Sequence, residues 1–199
     1  MRWSEACERN REPILTVLRQ WLPPGARVLE IGSGSGQHAV AFSRSLDGVQ
    51  WQASEHPEAL APLVERLRSE GVRPDALALD VQERQQWPSC EFEAVFSANT
   101  CHILPPAGVS SLLALAAAVL QPGGLLLLYG PFQDGGVHTA ASNAAFDAHL
   151  RSLDPRMGVR DAIALRAEAG GLGLSAETEV PMPANNRMLI FRRNADTSG

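Results

Sequence analysis

The stretch LEIGSGSGQH, residues 29–38, places Gly32, Gly34 and Gly36 directly after an apolar run. Glycine gives up backbone entropy and side-chain packing, so three at alternate positions imply a tight turn or a group held close to the main chain. Glu30 stands in front of them. A second acid, Glu55, follows the next apolar stretch, where a carboxylate can accept hydrogen bonds from both hydroxyls of a ribose. Asp80 closes a third such stretch and is placed to border an adenine. Gly32 and Gly34 would let the chain turn and approach a ligand, and Gly36 would allow close packing as a helix begins. The same glycines fit a nicotinamide site, and as a bare structural turn they would bind nothing.

Other chemistries find less support. His38, His56, His102, His138 and His149 form no recognised ligand spacing, and Cys7, Cys90 and Cys101 lie far apart, so neither a metal nor a disulfide framework is expected. The glycine run lacks the Lys-Ser/Thr ending of a phosphate-binding P-loop. Cys101 beside His102 does not make a thiol nucleophile, because adjacent residues of a strand point in different directions. The formal net charge of -5 supplies no general attraction for nucleic acid or an anionic membrane. The most apolar region, SLLALAAAVLQPGGLLLLYG, is broken by Gln121, Pro122, Gly123 and Gly124, so it reads as helix, turn and buried strand rather than a bilayer span. No basic segment followed by a long apolar one opens the chain, so no secretory signal is expected, and a reducing cytoplasm is the expected compartment.

The elements that must position these residues alternate along the chain. A first helix is expected to begin near Pro13, with Ile14, Val17, Leu18 and Trp21 on one face before Pro23, Pro24 and Gly25 stop it. RVLEI reads as an inner strand, then the glycine turn and a helix with Ala39, Phe42, Ser43 and Leu46 on one side. VQWQAS, DALALD and FEAVFSAN read as the next strands. A helix after Pro57 presents Leu60, Leu63, Val64 and Leu67, and another spans 109–120. LLLLY is a fifth strand. Such alternation predicts an α/β sheet covered by helices on both faces. After Tyr129 the pattern changes: residues 130–160 are rich in Gly, His, Ser, Asp and Asn, which predicts an active-site insertion with a short helix around Phe146–Leu150. DAIALRAEAG is expected to be a helix, LSAETEVPM and RMLIFRR terminal strands joined by PANN, and the last six residues a tail.

VLEIGSGSGQHA resembles the first motif of class I S-adenosylmethionine-dependent methyltransferases. Glu55 resembles their ribose-binding acid, LDV at 79–81 their adenine-side motif, and LQPGGLLLLYGP the lead into their fifth strand. ERNREPIL, WQASE, GPFQDGGVHTAASNAAFDAHLR, MGVRD and MPANNRMLIFRR together resemble the methyltransferase-like protein 26 family over nearly the whole chain. The length favours one domain over 1–199, with an N-terminal cap helix within 1–24 and a substrate-side insertion at 130–160. The resemblance implies a Rossmann-like, seven-stranded, mostly parallel sheet whose last strand is antiparallel, and S-adenosylmethionine as cofactor. The chain departs from the related pattern in having Glu55 where Asp is usual and Pro106 where a tryptophan is expected.

The cofactor candidates are therefore Arg9, Glu30, Gly32, Gly34, Gly36, Glu55, Asp80, Val81 and Asn99. Asn99 to His102 follow the fourth strand, where polar groups can face the donor's reactive end. His102 is read either as a proton acceptor or as a donor to a loop carbonyl, and Tyr129 as a hydroxyl beside the cofactor or as packing. The insertion contributes His138 and Asp147 as further catalytic candidates. Phe132, His138, Asn143, Asp147, Arg151, Arg160 and, from PANN, Asn185 are the substrate candidates. Asp147 and Arg151, four apart, can pair on a helix, while Arg151 or Arg160 could instead hold a substrate carboxylate. The expected reaction is direct methyl transfer to an N, O or S atom of a small molecule, with a nicotinamide oxidoreductase and a noncatalytic cofactor-binding protein as alternatives. No membrane or obligate nucleic-acid partner is expected.

Overall fold

The computed structural model describes residues 3–195. Helix α1 runs Glu5–Trp21, eight residues ahead of the start expected from Pro13. Ser4 caps it by accepting the Cys7 N–H, Glu5 and Glu8 favour its positive end, and these early signals outweigh the proline inside. Pro13 lacks an N–H and so leaves the Arg9 carbonyl without its helical donor.

Strand β1 (Arg27–Ile31) leads into α2 (Gln37–Ser45), β2 (Gln50–Glu55) and, after a 3-10 turn at Pro57–Ala59, α3 (Leu60–Ser69). Then come β3 (Leu77–Ala78), β4 (Phe92–Ala98), α4 (Pro106–Val119) and β5 (Leu120–Gly130). The third strand is much shorter than DALALD suggested, and α4 starts earlier, with Pro106 in its first turn. After the insertion, α6 (Ala162–Gly171), β9 (Leu174–Met182) and β10 (Asn186–Arg193) close the chain.

The seven-stranded sheet has the order β3-β2-β1-β4-β5-β10-β9, and β10 runs antiparallel to both neighbours. This is the Rossmann-like class I methyltransferase architecture that the resemblance implied. Alternation along β1 shows how the faces are filled: Val28 packs in the core shared with Ile14, Phe42 and Leu63, and Leu29 in the one shared with Leu112, Leu115 and Leu165. The first core lies under α1, α2 and α3, the second under α4 and α6. Strand order reverses between β1 and β4, so the crevice beyond their carboxyl ends is where such a sheet collects ligands.

The insertion is more structured than its composition suggests. Residues β6 (Phe132–Asp134), β7 (Val137–His138) and β8 (Arg160–Asp161) form a small sheet, and α5 spans Ala141–Leu153 rather than five residues. Its N-cap, Ala140, offers no side-chain hydrogen bond, so the sequence carries no start signal there. Arg187 of β10 pins the small sheet to the large one, reaching Asp134 at 3.0 Å and Glu179 at 3.2 Å. Of the expected tail, Asn194 donates its N–H to Gly173, and residues 196–199 lie outside the described residues.

Candidate functional site

The glycine turn joins β1 to α2 with Gly32, Gly34 and Gly36 all at positive φ. The three have different jobs. A Cβ on Gly32 would stand 2.5 Å from Thr100 Oγ1, and one on Gly36 would stand 2.7 Å from Leu63 Cδ1, so both are packing glycines. A Cβ on Gly34 would meet nothing within 4 Å among the described residues, and of the three this is the glycine that leaves open space beside the main chain. Its N–H donates to Glu55 Oε2 at 2.7 Å, while Glu55 Oε1 accepts from the His56 N–H. The acid after β2 thus stands against the glycine turn.

Glu30 faces the other way. It is buried, and its Oε2 accepts from Ser33 Oγ at 2.7 Å and Trp51 Nε1 at 2.9 Å. Burial pushes its carboxyl up to about 7, against the lowering effect of those two donors. These bonds tie the turn to β2, as does Ser54 Oγ by donating to the Glu30 carbonyl.

Asp80 follows β3 and comes within 3.4 Å of His56 Nε2, which brings the ends of β2 and β3 together; Val81 is buried behind it. Asn99 adopts φ 60 and donates its N–H to the Tyr129 carbonyl. A Cβ on Gly130 would lie 3.6 Å from Asn99 Oδ1 and 3.9 Å from His102 Nδ1, so β4 and β5 end at one point. Arg9 is an exception among the cofactor candidates, being exposed on α1 and paired with Glu5 at 3.4 Å.

The residue of α1 that reaches the interior is Asn10. Its Oδ1 lies 2.8 Å from His38 Nε2, and it also hydrogen-bonds Tyr129, whose hydroxyl is shared with Asn186. Tyr129 is therefore committed to holding α1 and β10 together. Gln37 is the second clasp: it accepts the Ser4 N–H, donates to the Ser4 carbonyl and donates to Glu8. Asn10 has a sequence signal, since it continues the apolar spacing of Ile14, Val17 and Trp21 and a polar side chain on such a stripe needs a buried partner. Gln37 has none, because its partners lie on another helix.

Several substrate candidates are engaged in contacts within the protein. Phe132 is 1% exposed and packs in the core with Leu165 and Leu189. Asn143 donates to Thr139 Oγ1 and the Asn185 carbonyl, and Asn185 donates to Ser142 from a left-handed turn position, which spends both asparagines on fixing PANN to α5. Arg160 donates to the carbonyls of Cys101, Leu104 and Arg156, so it ties the loop after β4 to the insertion instead of presenting a free fork. Cys101 is buried, and burial pushes its thiol up to about 12, which removes it as a nucleophile.

The titratable remainder gathers in one place. His102 is buried against Phe146, ring centroids 5.0 Å apart and edge-on. Burial, and then the Arg160 charge, lowers it to about 4, so the ring is neutral at pH 7. Its carbonyl accepts the Gly158 N–H, and the next amide, Val159, donates to Asp147. Asp147 pairs with Arg151 at 2.8 Å and faces His138 at 3.7 Å. Histidines 102 and 138 are thus linked through residues 146–147 and 158–159.

Two cavities lie elsewhere, one of about 520 Å³ along α3 and one of about 400 Å³ near Arg27, Gln50 and Phe92 at the amino ends of the strands. Among the described residues no three His, Cys, Asp or Glu side chains gather as a metal site, and no helix is long and apolar enough to cross a membrane.

Solved structures share this fold. An O-methyltransferase family protein from Burkholderia thailandensis matches with TM-score 0.82 and 16% identity over 96% of this chain and 58% of its own. The mitomycin 7-O-methyltransferase MmcR matches at 0.80 with 20% identity, over 94% of this chain and 54% of its own. Human N-acetylserotonin methyltransferase, solved with S-adenosylmethionine, matches at 0.77 with 17% identity, over 96% and 53%. The chain spans little more than half the length of these proteins. At family level, a model described as protein of unknown function (DUF938) matches residues 1–193, and the chain belongs to that family.

Proposed function

We propose that this protein binds S-adenosylmethionine and transfers its methyl group to a nucleophile on a small molecule. The observation that carries the reading is the pairing of Gly34 with Glu55: an open glycine at the end of β1 beside an acid at the end of β2. A ribose needs such an acid, and the open space at Gly34 is a cradle that a side chain would fill. Glu55 would hold the ribose hydroxyls, Gly34 would lie against the donor, and Asp80 with Val81 would border the adenine. Asn99 and His102 would face the reacting end. The extra methylene of Glu55, compared with the usual aspartate, gives it the reach for the turn. The kinship with methyltransferase-like protein 26 belongs to this same reading, as do the single-domain organisation and a cytoplasmic location.

When bound, the cofactor supplies an electrophilic methyl group on a sulfonium. The chain has to orient an acceptor and, where the acceptor is protic, remove a proton. The small-molecule reading is supported by the acidic charge balance and by a partly exposed aromatic, Phe146, beside the histidine pair. Incubating the protein with methyl-labelled S-adenosylmethionine and a metabolite extract, RNA and protein in separate reactions tests it. Label in a small molecule supports the proposal. Label only in RNA or protein overturns the substrate class, and cofactor binding with no product anywhere favours a noncatalytic binding protein.

A further inference from the structure

The two nitrogens of His138 have unequal surroundings. Nε2 lies 3.7 Å from Asp147 Oδ2, whereas Nδ1 is buried with no hydrogen-bond partner among the described residues. Asp147 itself is fixed from two sides: Val159 N–H donates to Oδ1 at 2.7 Å and Arg151 Nε to Oδ2 at 2.8 Å. Burial opposes the charge on this carboxyl, but the Arg151 and Val159 hydrogen bonds outweigh it and hold the group below its usual range. A charged Asp147 facing Nε2 draws the ring proton to that nitrogen, so Nδ1 carries the lone pair. An unpaired buried acceptor is destabilising and calls for a donor.

The charged group facing the ring is Asp147, which is paired with Arg151 on α5 and also feels the charge of Arg160 on β8. His102, the other imidazole of the cluster, lacks a carboxylate partner of this kind and gains no charge near neutrality. His138 stands on the two-residue strand β7, just after Gly135 and Gly136, at the edge of the small sheet and away from the main one.

Resting on the methyl-transfer reading above, we propose that His138 Nδ1 accepts the proton of a hydroxyl-bearing aromatic acceptor, with Asp147 fixing the ring's tautomer. In the step, the acceptor O–H bond breaks, its electron pair stays on oxygen, and an N–H bond forms at Nδ1. The resulting imidazolium faces the Asp147 carboxylate, and the proton leaves to solvent after the product departs. A hydroxyl is the acceptor that gains most from such a base: an amine attacks through a free lone pair, and a thiol ionises closer to neutrality. Phe146, part exposed and edge-on to His102, supplies an aromatic contact beside the pair.

The test needs no cofactor. Ring-nitrogen NMR of the full chain labelled with 15N-histidine, with the His138 signals assigned by their loss in His138→Gln, is expected to show the Nε2-protonated tautomer at pH 7.5. Phenol at millimolar concentration is expected to shift the Nδ1 signal, while anisole, which has the ring without the donor, leaves it in place. Asp147→Asn is expected to mix the tautomers. An Nδ1-protonated ring, equal responses to phenol and anisole, or no response to phenol overturns the proposal whether or not the protein transfers methyl groups. If the labelled-methyl experiment yields a product, His138→Gln is expected to lower kcat about 100-fold or more and to flatten its pH profile. Unchanged kcat on a hydroxyl acceptor is also contrary to the proposal.

Discussion

Gly34 donates its amide to Glu55 at 2.7 Å, joining the carboxyl ends of the two strands between which a nucleotide would sit. Removing the acid is expected to weaken S-adenosylmethionine binding more than it harms the fold. A charged hydrogen bond is worth about 1.5–3 kcal/mol, or roughly 10- to 100-fold in affinity. Calorimetry of Glu55→Ala is expected to show a loss in that range, and Glu55→Asp a loss of only a few fold.

The glycines should separate by assay. Alanine at Gly36 meets the buried Leu63 and adopts φ +75, so a loss of about 2–4 kcal/mol in urea unfolding is expected from strain plus overpacking. Alanine at Gly34 is expected to cost only about 1–2 kcal/mol of stability, because no described residue stands within 4 Å of its Cβ. Its larger effect is expected on cofactor affinity. Equal stability losses for the two variants would contradict these assignments.

Glu30 makes a pH prediction whose sign is opposite to that of most carboxylates. Its folded pKa, about 7, exceeds its ordinary value of 4.5, so between these pH values the folded state binds the extra proton and stability falls as pH rises. His38 and His102, lowered to about 4 mainly by burial, act in the other direction below pH 6.5. Subtracting the unfolding free energy of Glu30→Gln from that of the parent isolates the carboxyl. The difference is expected to fall by up to about 1.4 kcal/mol per pH unit from pH 5 to 7, then level off. A flat difference rules out the raised pKa.

Asn10 joins His38 and Tyr129 in the interior, so Asn10→Ala leaves buried polar groups unpaired. A loss of about 1–3 kcal/mol in chemical denaturation is expected. Arg9→Ala, one position earlier but exposed and paired with Glu5, is expected to change stability by less than about 0.5 kcal/mol.

These positions also mark what the sequence discloses. The main sheet is legible because β1, β4 and β5 carry apolar runs bounded by glycine, proline or polar turns, and β9 coincides with the stretch LSAETEVPM. The small sheet is hidden: strands of two or three residues are too short to alternate, and α5 begins without a cap. The position of Glu55 follows from spacing, but the division of labour among the three glycines depends on Thr100 and Leu63, which are distant in sequence. Phe132 and Arg160 are ambiguous for a similar reason. A phenylalanine serves a core as well as a pocket, and a guanidinium binds carbonyls as well as carboxylates, so only the tertiary contacts decide.

The most direct measurement is calorimetric titration of the folded full chain with S-adenosylmethionine and, separately, with NAD. Saturable binding of S-adenosylmethionine at one site per chain, weakened in Glu55→Ala and absent for NAD, is the expected result. Specific binding of NAD by folded protein that takes up neither S-adenosylmethionine nor its demethylated product would contradict the account and place the glycine turn in a nicotinamide site.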